Sequence, residues 1–284
     1  MQKRAIAVHD LSCVGRCSLT VALPILSAAG LNTAAVPTAL LSTHTGEFTG
    51  YTHLDLSGQL PPITRHLATL GLHYDAFYSG YLASAAQSDA VLSMMDALCD
   101  EKTHIFVDPA FGDFGRLYSL MEDDMPAQMG RLCARARTIV PNLTEAAFLL
   151  GDPSLCREPS EDTVAQICRR LCAMGPENVV VTDVSFQPGQ TGAAVFTRGM
   201  EKPVYRFHQR FDRLFHGTGD VFASLLLGGL MNGLPLLSAT ELALDMTHQA
   251  ICLTVESGEP LRYGIQFEPV LPKYWQRLNL SFQN

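Results

Sequence analysis

The segment His216–Asp220 contains the residue types that phosphoryl transfer requires. Thr218 lies between Gly217 and Gly219, and these glycines let the backbone approach a ligand closely. The N–H groups that open the following helix then form an anion site. Asp220 ends the motif and can accept a proton from a substrate hydroxyl while those N–H groups hold the transferred phosphoryl group. The alternative is that Asp220 only caps a helix, as Asp often does.

Further polar side chains follow short apolar runs elsewhere in the chain. Asn142 and Glu145 have the spacing of a helix N-cap and its third residue, so a simple helix cap would explain them. Asp108 and Asp113 enclose a short loop that contains Pro and Gly, and two carboxylates on such a loop suit the neighbourhood of a cation. A turn stabilised by Asp side chains is the alternative reading of this loop. Thr182 ends the run Val-Val-Val-Thr.

The elements that must position these residues alternate between β-like runs and helical patterns. The predicted strands are Ala5–Val8, Thr33–Pro37, Asp75–Ser79, Thr103–Val107, Thr138–Val140, Val179–Thr182 and Gly192–Thr197. The predicted helices are one that ends near Gly30, Pro62–Leu70, Ala85–Cys99 (Ser84 and Gln87 having the capping-box spacing), Met125–Ala136, Leu143–Leu150, Thr163–Ala173, Asp220–Asn232 and Ala239–Glu256. This order predicts an α/β fold with a mostly parallel central sheet and helices on both faces. In such sheets, ligands bind beyond the carboxyl ends of the strands.

Composition excludes several classes of protein. The chain has 284 residues, of which 47% are apolar and 17% charged, so it can bury a sizeable core and is not intrinsically disordered. The net charge of −8 argues against nucleic-acid binding, which relies on basic clusters. Only four basic residues are lysines (Lys3, Lys102, Lys202 and Lys273), so a catalytic lysine has few candidates. We find no linker or internal repeat and therefore expect residues 1–284 to form a single domain.

Targeting signals and cysteine spacing indicate a reduced, non-membrane location. The longest apolar stretch, Val221–Met231, is much shorter than the ~20 residues that a membrane-spanning helix needs. The apolar run near the N-terminus ends at His9 and Asp10, too early for a signal peptide. The eight cysteines lack the close pairs that are typical of zinc sites, so we expect reduced thiols. We therefore expect a cytoplasmic protein.

The glycine motif and four other segments together resemble the ribokinase-like superfamily, and in particular its vitamin B6 branch, the pyridoxal/pyridoxamine kinases. The matching segments are Ser42–Gly46, Ser79–Ser84, Val107–Asp113, Val140–Glu145 and Gly217–Asp220. They occur in the family's order over nearly the whole chain. The resemblance implies a ribokinase-like fold and ATP-dependent phosphorylation of the 5′-hydroxymethyl group of pyridoxal, pyridoxamine or pyridoxine. It also implies that Asp220 is the catalytic base and that the amides of the glycine motif form an anion hole.

On the nucleotide side, the resemblance implies ATP and Mg²⁺. Asn142 and Glu145 would hold Mg²⁺ through water, and Asp113 would face the triphosphate and the metal. Thr182 keeps the hydroxyl that the family places against the ATP phosphates. Asp183 departs from the family's pattern and would repel phosphate unless it faces a cation or solvent. Family members also tend to be homodimers and to use a monovalent cation such as K⁺.

On the substrate side, the resemblance places Thr45 near the polar edge of the pyridine ring and Tyr81 over or beside the ring. Packing at a strand end is the alternative for Tyr81, and His44 is a further candidate from the same segment as Thr45. Asp10 and Ser12 follow the first strand, where the family has a serine that contacts the substrate. Strand register aligns that serine with Asp10, whereas the glycine spacing that follows favours Ser12, so both remain candidates.

Two alternatives to a B6 kinase remain at this point. The first is a hydroxymethylpyrimidine kinase of thiamine biosynthesis, because Asp10 and Ser12 resemble an Asp-Pro-Ser segment of those enzymes. The second is a non-catalytic B6-binding protein with the same fold. The basic and aromatic segment Tyr205–Phe215 is also open to two readings. It is either a flap with Arg206, Arg210 or Arg213 near ATP, or a solvated pair of strands.

Overall fold

The computed structural model describes residues 2–118, 121–157 and 159–280. The strands are β1 Arg4–Ser12, β2 Asn32–Leu41, β3 His53–Asp55, β4 Ala76–Ser79, β5 His104–Val107, β6 Gly112–Asp113, β7 Arg116–Leu117, β8 Thr138–Ile139, β9 Asn178–Val184, β10 Gln190–Thr197 and β11 Val204–Gln209. The helices are α1 Leu19–Ala28, α2 Leu60–Thr69, α3 Ala85–Leu98, α4 Met125–Cys133, α5 Leu143–Leu149, α6 Glu161–Met174, α7 Thr218–Met231, α8 Leu236–Ser257 and α9 Leu271–Leu280.

A nine-stranded sheet has the order β11-β10-β9-β8-β5-β4-β1-β2-β3. The six strands from β9 to β2 in this order pair in parallel, which confirms the predicted mostly parallel sheet. Antiparallel strands complete both edges, because β3 pairs with β2, and β10 and β11 extend the sheet beyond β9. The short strands β6 and β7 form a separate ribbon. The carboxyl ends of the parallel strands therefore share one edge of the sheet.

Alternate residues of β1 point into two different cores. Ala5 and Ala7 are buried in a core that includes residues of α1, α7, α8 and α9. Ile6 and Val8 are buried in the opposite core, against residues from α2 to α6. Because side chains of a strand alternate between the faces of a sheet, apolar residues at consecutive positions require cover on both faces. The prediction of helices on both faces is confirmed.

The sequence did not predict the edge strand β3, the β6–β7 ribbon or helix α9, and it offered β11 only as one of two readings of the segment Tyr205–Phe215. The Ser84–Gln87 capping box forms only in part: the Gln87 N–H donates to Ser84 Oγ at 3.3 Å, but the Gln87 side chain bonds to Ala83 and Thr38 instead. Within residues 2–118, 121–157 and 159–280, no helix is both long and apolar enough to cross a membrane.

Candidate active site

Polar residues gather where the parallel strands end. Asp10 lies near the end of β1, and Tyr81 follows β4. Asp108 follows β5, and its N–H donates to the carbonyl of Ser79 at 2.9 Å. Beyond β8, Asn142 forms a parallel bridge with Thr182 of β9. This edge of the sheet and the start of α7 bring several predicted site residues to one end of the molecule. These residues are Asp10, Ser12, Tyr81, Asp108, Asn142, Thr182 and Asp220.

The start of α7 packs directly on the loop that follows β1. Gly217 is the N-cap of α7 at φ +75°, a conformation that favours glycine, and a Cβ there would overlap the carbonyl oxygen of Arg16. Val221 is the first residue whose N–H bonds to the Gly217 carbonyl. The N–H groups of Thr218, Gly219 and Asp220 precede that bond, so they have no carbonyl partner within the helix. Two of them, the N–H groups of Thr218 and Gly219, belong to the predicted anion hole, whose third predicted donor is the N–H of Gly217.

Asp220 does not act as the N-cap of α7, because Gly217 occupies that position and Asp220 is the third helical residue. Burial, together with the negative charge of Asp10, raises the pKa of the Asp220 carboxyl to about 7. A hydrogen bond from the backbone N–H of Ser18 acts in the opposite direction. A carboxyl group with a pKa near neutrality is suited to general-base catalysis at neutral pH.

Asp10 and Ser12, the two candidates at the end of β1, are in contact with each other. Ser12 Oγ donates to Asp10 at 3.4 Å, and Ser18 Oγ donates to the other carboxylate oxygen at 2.5 Å. Asp10 is only 7% exposed, and burial raises the pKa of its carboxyl. Cys17 lies beside both Asp10 and Asp220, and burial with these two negative charges keeps the pKa of its thiol well above the usual range. Cys17 therefore stays protonated and is not a nucleophile.

The segment Ser42–Gly46 is fixed by His44. The N–H of Gly46 donates to His44 Nδ1 at 3.1 Å, so the ring proton is on Nε2, which lies 2.6 Å from the carbonyl oxygen of Arg262. Burial lowers the pKa of this imidazole, which is consistent with a neutral ring. Both ring nitrogens of His44 are thus engaged, and the residue anchors the loop. Thr45, next in the chain, is exposed.

The same loop contacts the glycine motif. A Cβ at Gly46 would overlap the ring of His216, and the rings of His44 and His216 lie 5.0 Å apart. On the other side of this region, Tyr81 is half-buried, and burial with the nearby charge of Asp10 raises the pKa of its phenol to about 12. Loop 42–46 thus lies beside the start of α7, and Tyr81 lies near Asp10.

On the nucleotide side, the Glu145 carboxylate connects two loops through backbone N–H groups. It accepts hydrogen bonds from the backbone N–H groups of Asn142 at 2.8 Å, Phe111 at 3.1 Å and Gly112 at 3.5 Å. Asn142 completes a capping box by accepting from the Glu145 N–H at 2.9 Å. Its side-chain NH₂ also donates to the carbonyl of Gly112 at 2.7 Å. The predicted cap therefore exists, and it also fixes the loop between Asp108 and Asp113.

Asp183 faces a basic side chain. Burial raises its carboxyl pKa, while the charge of Arg210 lowers it. Burial and the nearby Asp183 raise the pKa of Asp113 to about 6, and Arg210 again opposes the shift. Arg210 therefore lies beside the two carboxyl groups at the predicted phosphate end. Asp183 has φ +58°, an uncommon conformation for a residue other than glycine.

The basic segment that provides Arg210 is mainly an edge strand. β11 pairs with β10, and Arg206 in it forms a 2.5 Å ion pair with Glu241 of α8. The reading of a solvated strand pair holds for residues 204–209. Glu241 engages the guanidinium of Arg206, and a place for Arg206 near ATP stays a prediction. Arg210 follows the strand and lies near Asp113, whereas Arg213 is exposed.

Comparison with known proteins identifies the family. A family model described as phosphomethylpyrimidine kinase matches residues 23–264. This chain belongs to that kinase family. It is 32% identical to a pyridoxine/pyridoxal/pyridoxamine kinase from Bordetella avium over 88% of this chain and 84% of the relative. The B6-kinase resemblance of the sequence is thereby confirmed.

Solved structures of this family share the fold. A putative phosphomethylpyrimidine kinase from Bacteroides thetaiotaomicron, crystallised with pyridoxal, is 34% identical with a TM-score of 0.89 and covers 98% of this chain and 96% of its own. Pyridoxal kinase from Lactobacillus plantarum is 31% identical, with a TM-score of 0.89 and 99% of both chains covered. A Leishmania donovani pyridoxal kinase in complex with ADP and pyridoxamine is 20% identical, has a TM-score of 0.83 and covers 98% of this chain and 96% of its own, so it shows the fold alone. The predicted ribokinase-like fold is confirmed.

The donor set on the nucleotide side of this kinase suits Mg²⁺. Asp108 and Glu145 are buried, and the Asp108 charge raises the pKa of Glu145, while the Asp220 charge raises that of Asp108. A divalent cation beside these carboxyl groups would relieve their mutual repulsion. In the described parts of the chain, no three His, Cys, Asp or Glu side chains converge as a ligand cluster.

The sequence did not single out Ser18 or Tyr118. Ser18 bonds to both Asp10 and Asp220, and nothing in its local sequence indicates this. Tyr118 follows the β6–β7 ribbon, and its phenol has a pKa raised well above the usual range by burial and by the nearby carboxylates of Glu145 and Asp113, among others. The only signal for Tyr118 was its place just after the Asp108–Asp113 loop.

Proposed function

We propose that this chain is an ATP-dependent kinase that phosphorylates the 5′-hydroxymethyl group of pyridoxal, pyridoxamine or pyridoxine. The observation that carries the proposal is Asp220, whose pKa is raised to about 7 at the third position of a helix that begins with Gly217 and Thr218. A neutral-range base beside free backbone N–H groups suits the activation of an alcohol and the binding of a phosphoryl group. The relatives named as pyridoxine/pyridoxal/pyridoxamine kinases support the substrate class.

In the proposed reaction, the substrate hydroxyl lies against Asp220. Its oxygen forms a bond to the γ-phosphorus as the bond between that phosphorus and the β,γ-bridging oxygen breaks, and ADP leaves. Asp220 accepts the hydroxyl proton, so that an alkoxide does not have to form in advance. The amides of Gly217, Thr218 and Gly219 donate to the oxygens of the moving phosphoryl group and stabilise its charge.

The residues proposed to hold Mg²⁺ are Asn142 and Glu145, through water, and Asp113. When bound, Mg²⁺ supplies neutralisation of the ATP phosphate charge. Both carboxylate oxygens of Glu145 accept hydrogen bonds from backbone N–H groups, and each oxygen has a further lone pair that could accept from a metal-bound water. Thr182, bridged to Asn142, and Arg210 are the groups proposed to lie along the phosphates.

Four further proposals rest on the resemblance and on composition. They are a requirement for a monovalent cation such as K⁺, a homodimeric assembly, a cytoplasmic location, and a single domain over residues 1–284. Thr45 is proposed to contact the polar edge of the substrate ring, and Tyr81 its face.

The second candidate function is phosphorylation of hydroxymethylpyrimidine, which the description of the matching family model favours. An assay that couples ADP release to a colour change would test both candidates with pyridoxal, pyridoxamine, pyridoxine and hydroxymethylpyrimidine under Mg-ATP. We expect the highest kcat/KM with a B6 vitamer. Turnover of hydroxymethylpyrimidine alone would replace the proposal with the second candidate, and binding of a vitamer without any turnover would indicate a non-catalytic B6-binding protein.

A further inference from the structure

Ser18 bridges the space between two carboxyl groups. Its hydroxyl donates to Asp10 at 2.5 Å, and its backbone N–H acts on the carboxyl group of Asp220, whose pKa it lowers. Ser18 is the N-cap residue of α1, yet among the residues that the structure describes its hydroxyl bonds to no helix N–H. Serine is one of the preferred N-cap residues because its oxygen normally accepts from the helix. In this chain the hydroxyl is used to hold Asp10 instead.

The bridge requires an unfavourable backbone. Ser18 has φ +53° and ψ −129°, a region that residues with a Cβ rarely adopt. Such conformations cost free energy, and they persist where the surrounding structure enforces them, often at functional sites. The Ser18 hydroxyl holds the Asp10 carboxylate where its charge acts on Asp220. Asp10 therefore has a fixed place beside the proposed catalytic base.

Asp10 is a buried acid that is balanced mainly by hydroxyl groups. Its described side-chain hydrogen bonds come from Ser12 and Ser18, which are neutral donors. The basic side chain that acts on it is His53, an exposed residue of β3. Burying a carboxylate without a close cationic partner costs free energy. A cation bound beside Asp10 would therefore be stabilised more than a cation paired with a carboxylate in solvent.

In the proposed reaction, the 5-hydroxymethyl oxygen lies against Asp220, so substituents on the neighbouring ring atoms come close to Asp10. The ring atoms next to C5 are C4 and C6. Position C6 carries only hydrogen. Position C4 carries an aldehyde in pyridoxal, a hydroxymethyl in pyridoxine and an aminomethyl in pyridoxamine. Only the aminomethyl group is a cation at neutral pH, because alkyl amines titrate near the range of lysine.

We propose that Asp10 pairs with the 4-aminomethyl cation of pyridoxamine and makes this kinase selective for the amine over the alcohol and aldehyde vitamers. The proposal rests on the proposed function and goes beyond it by assigning the selectivity to one residue. A charged pair with hydrogen bonds in a partly buried setting contributes more than a neutral contact to binding. The competing explanation is that Asp10 only holds the loop through Ser12 and Ser18.

The variant Asp10→Asn separates these explanations, because Asn keeps the size of the side chain and an oxygen that accepts from serine. The measurement is kcat/KM for pyridoxamine and for pyridoxine with Mg-ATP. We expect the ratio of the two values to fall about tenfold in Asp10→Asn. Ser18→Ala is the matched control, since it removes a hydroxyl partner of Asp10 and keeps the charge, and its ratio should stay within about twofold of the parent's.

Calorimetry on the parent protein gives a second test that does not depend on the folding of a variant. Pyridoxamine should bind several-fold more tightly than pyridoxine, from which it differs at C4 only. Equal affinities for the two vitamers would overturn the role of Asp10, and so would an unchanged kcat/KM ratio in a folded Asp10→Asn protein. In either case, turnover of both vitamers would still uphold the kinase function. Absence of turnover with every vitamer in the parent would instead contradict the proposed function.

Discussion

The two sides of the candidate site hold their carboxyl groups in different ways. On the nucleotide side, Glu145 accepts from three backbone N–H groups within a regular capping box. On the substrate side, Asp10 is held by hydroxyl groups, and Asp220 by one backbone N–H from Ser18, a residue in a strained conformation. A carboxylate that accepts hydrogen bonds from several backbone N–H groups is fixed in one place. A carboxylate with fewer hydrogen-bond donors around it keeps lone pairs that can accept from a substrate.

This difference fits two separate roles in the proposed mechanism, one for each side of the site. The nucleotide side is a rigid frame, since the Glu145 hydrogen bonds connect α5 to the loop around Phe111. The substrate side places two acidic groups beside each other, and the Asp10 charge raises the pKa of Asp220. In the proposed mechanism, chemistry therefore depends on the second region, and nucleotide geometry on the first.

Replacement of Asp220 by Asn should abolish most of the activity. Asn has the size of Asp and cannot accept the hydroxyl proton, and general bases contribute ~10²–10⁴-fold, or about 3–5 kcal/mol. We expect kcat to fall by at least ~100-fold while vitamer binding persists. Steady-state kinetics, with calorimetry and thermal melts as controls, measure this. A folded variant that turns over within a few-fold of the parent would remove Asp220 from the mechanism.

Substitution of Gly217 by Ala should damage the contact between α7 and the loop after β1. The new Cβ would meet the Arg16 carbonyl, and φ is +75°. We expect a loss of about 2–4 kcal/mol in the free energy of unfolding, measured by urea denaturation. Gly219→Ala is the matched control, because its Cβ would meet no described atom within 4 Å. Equal stability of the two variants would contradict the proposed packing.

The variant Glu145→Gln should affect nucleotide use and spare vitamer binding. Gln keeps one acceptor oxygen but presents an NH₂ group to backbone donors and removes the charge beside the proposed metal. We expect KM for Mg-ATP to rise about tenfold and the vitamer KM to change by less than about twofold. Titrations with Mg²⁺ and ATP measure the effect. Unchanged dependence on both in a folded variant would mean that Glu145 is a structural cap only.

The pH dependence of kcat/KM should reveal the coupling between Asp10 and Asp220. Only ionised Asp220 accepts a proton, and its pKa is raised to about 7, so activity should be low in acid and rise through about pH 7. Asp10→Asn removes a negative charge that raises this pKa, so the rise should move to lower pH. Pyridoxine is the substrate for both proteins, so that its own titration cancels. A rise at the same pH in both would contradict the coupling.

Local patterns in the sequence predicted the features that depend on neighbours along the chain. The seven predicted strands exist, and Asn142 and Glu145 form the capping box that their spacing indicates. Such features involve residues within a few positions of each other, so sequence spacing fixes their geometry. The five family segments also lie in the order that a ribokinase-like fold requires, and the comparisons confirm that fold.

Only the tertiary structure decided the features that join distant segments. His44 bonds to the carbonyl of Arg262, which is 218 positions away, and Ser18 bonds to Asp220 across the interface between α1 and α7. Arg210 reaches Asp183 and Asp113 because the edge strand β11 precedes it. A side chain in such a contact has no partner within its own segment, so no spacing or periodicity indicates it. The sequence by itself therefore determined the elements and the candidate residues, and the packing of the elements decided which of those residues face one another.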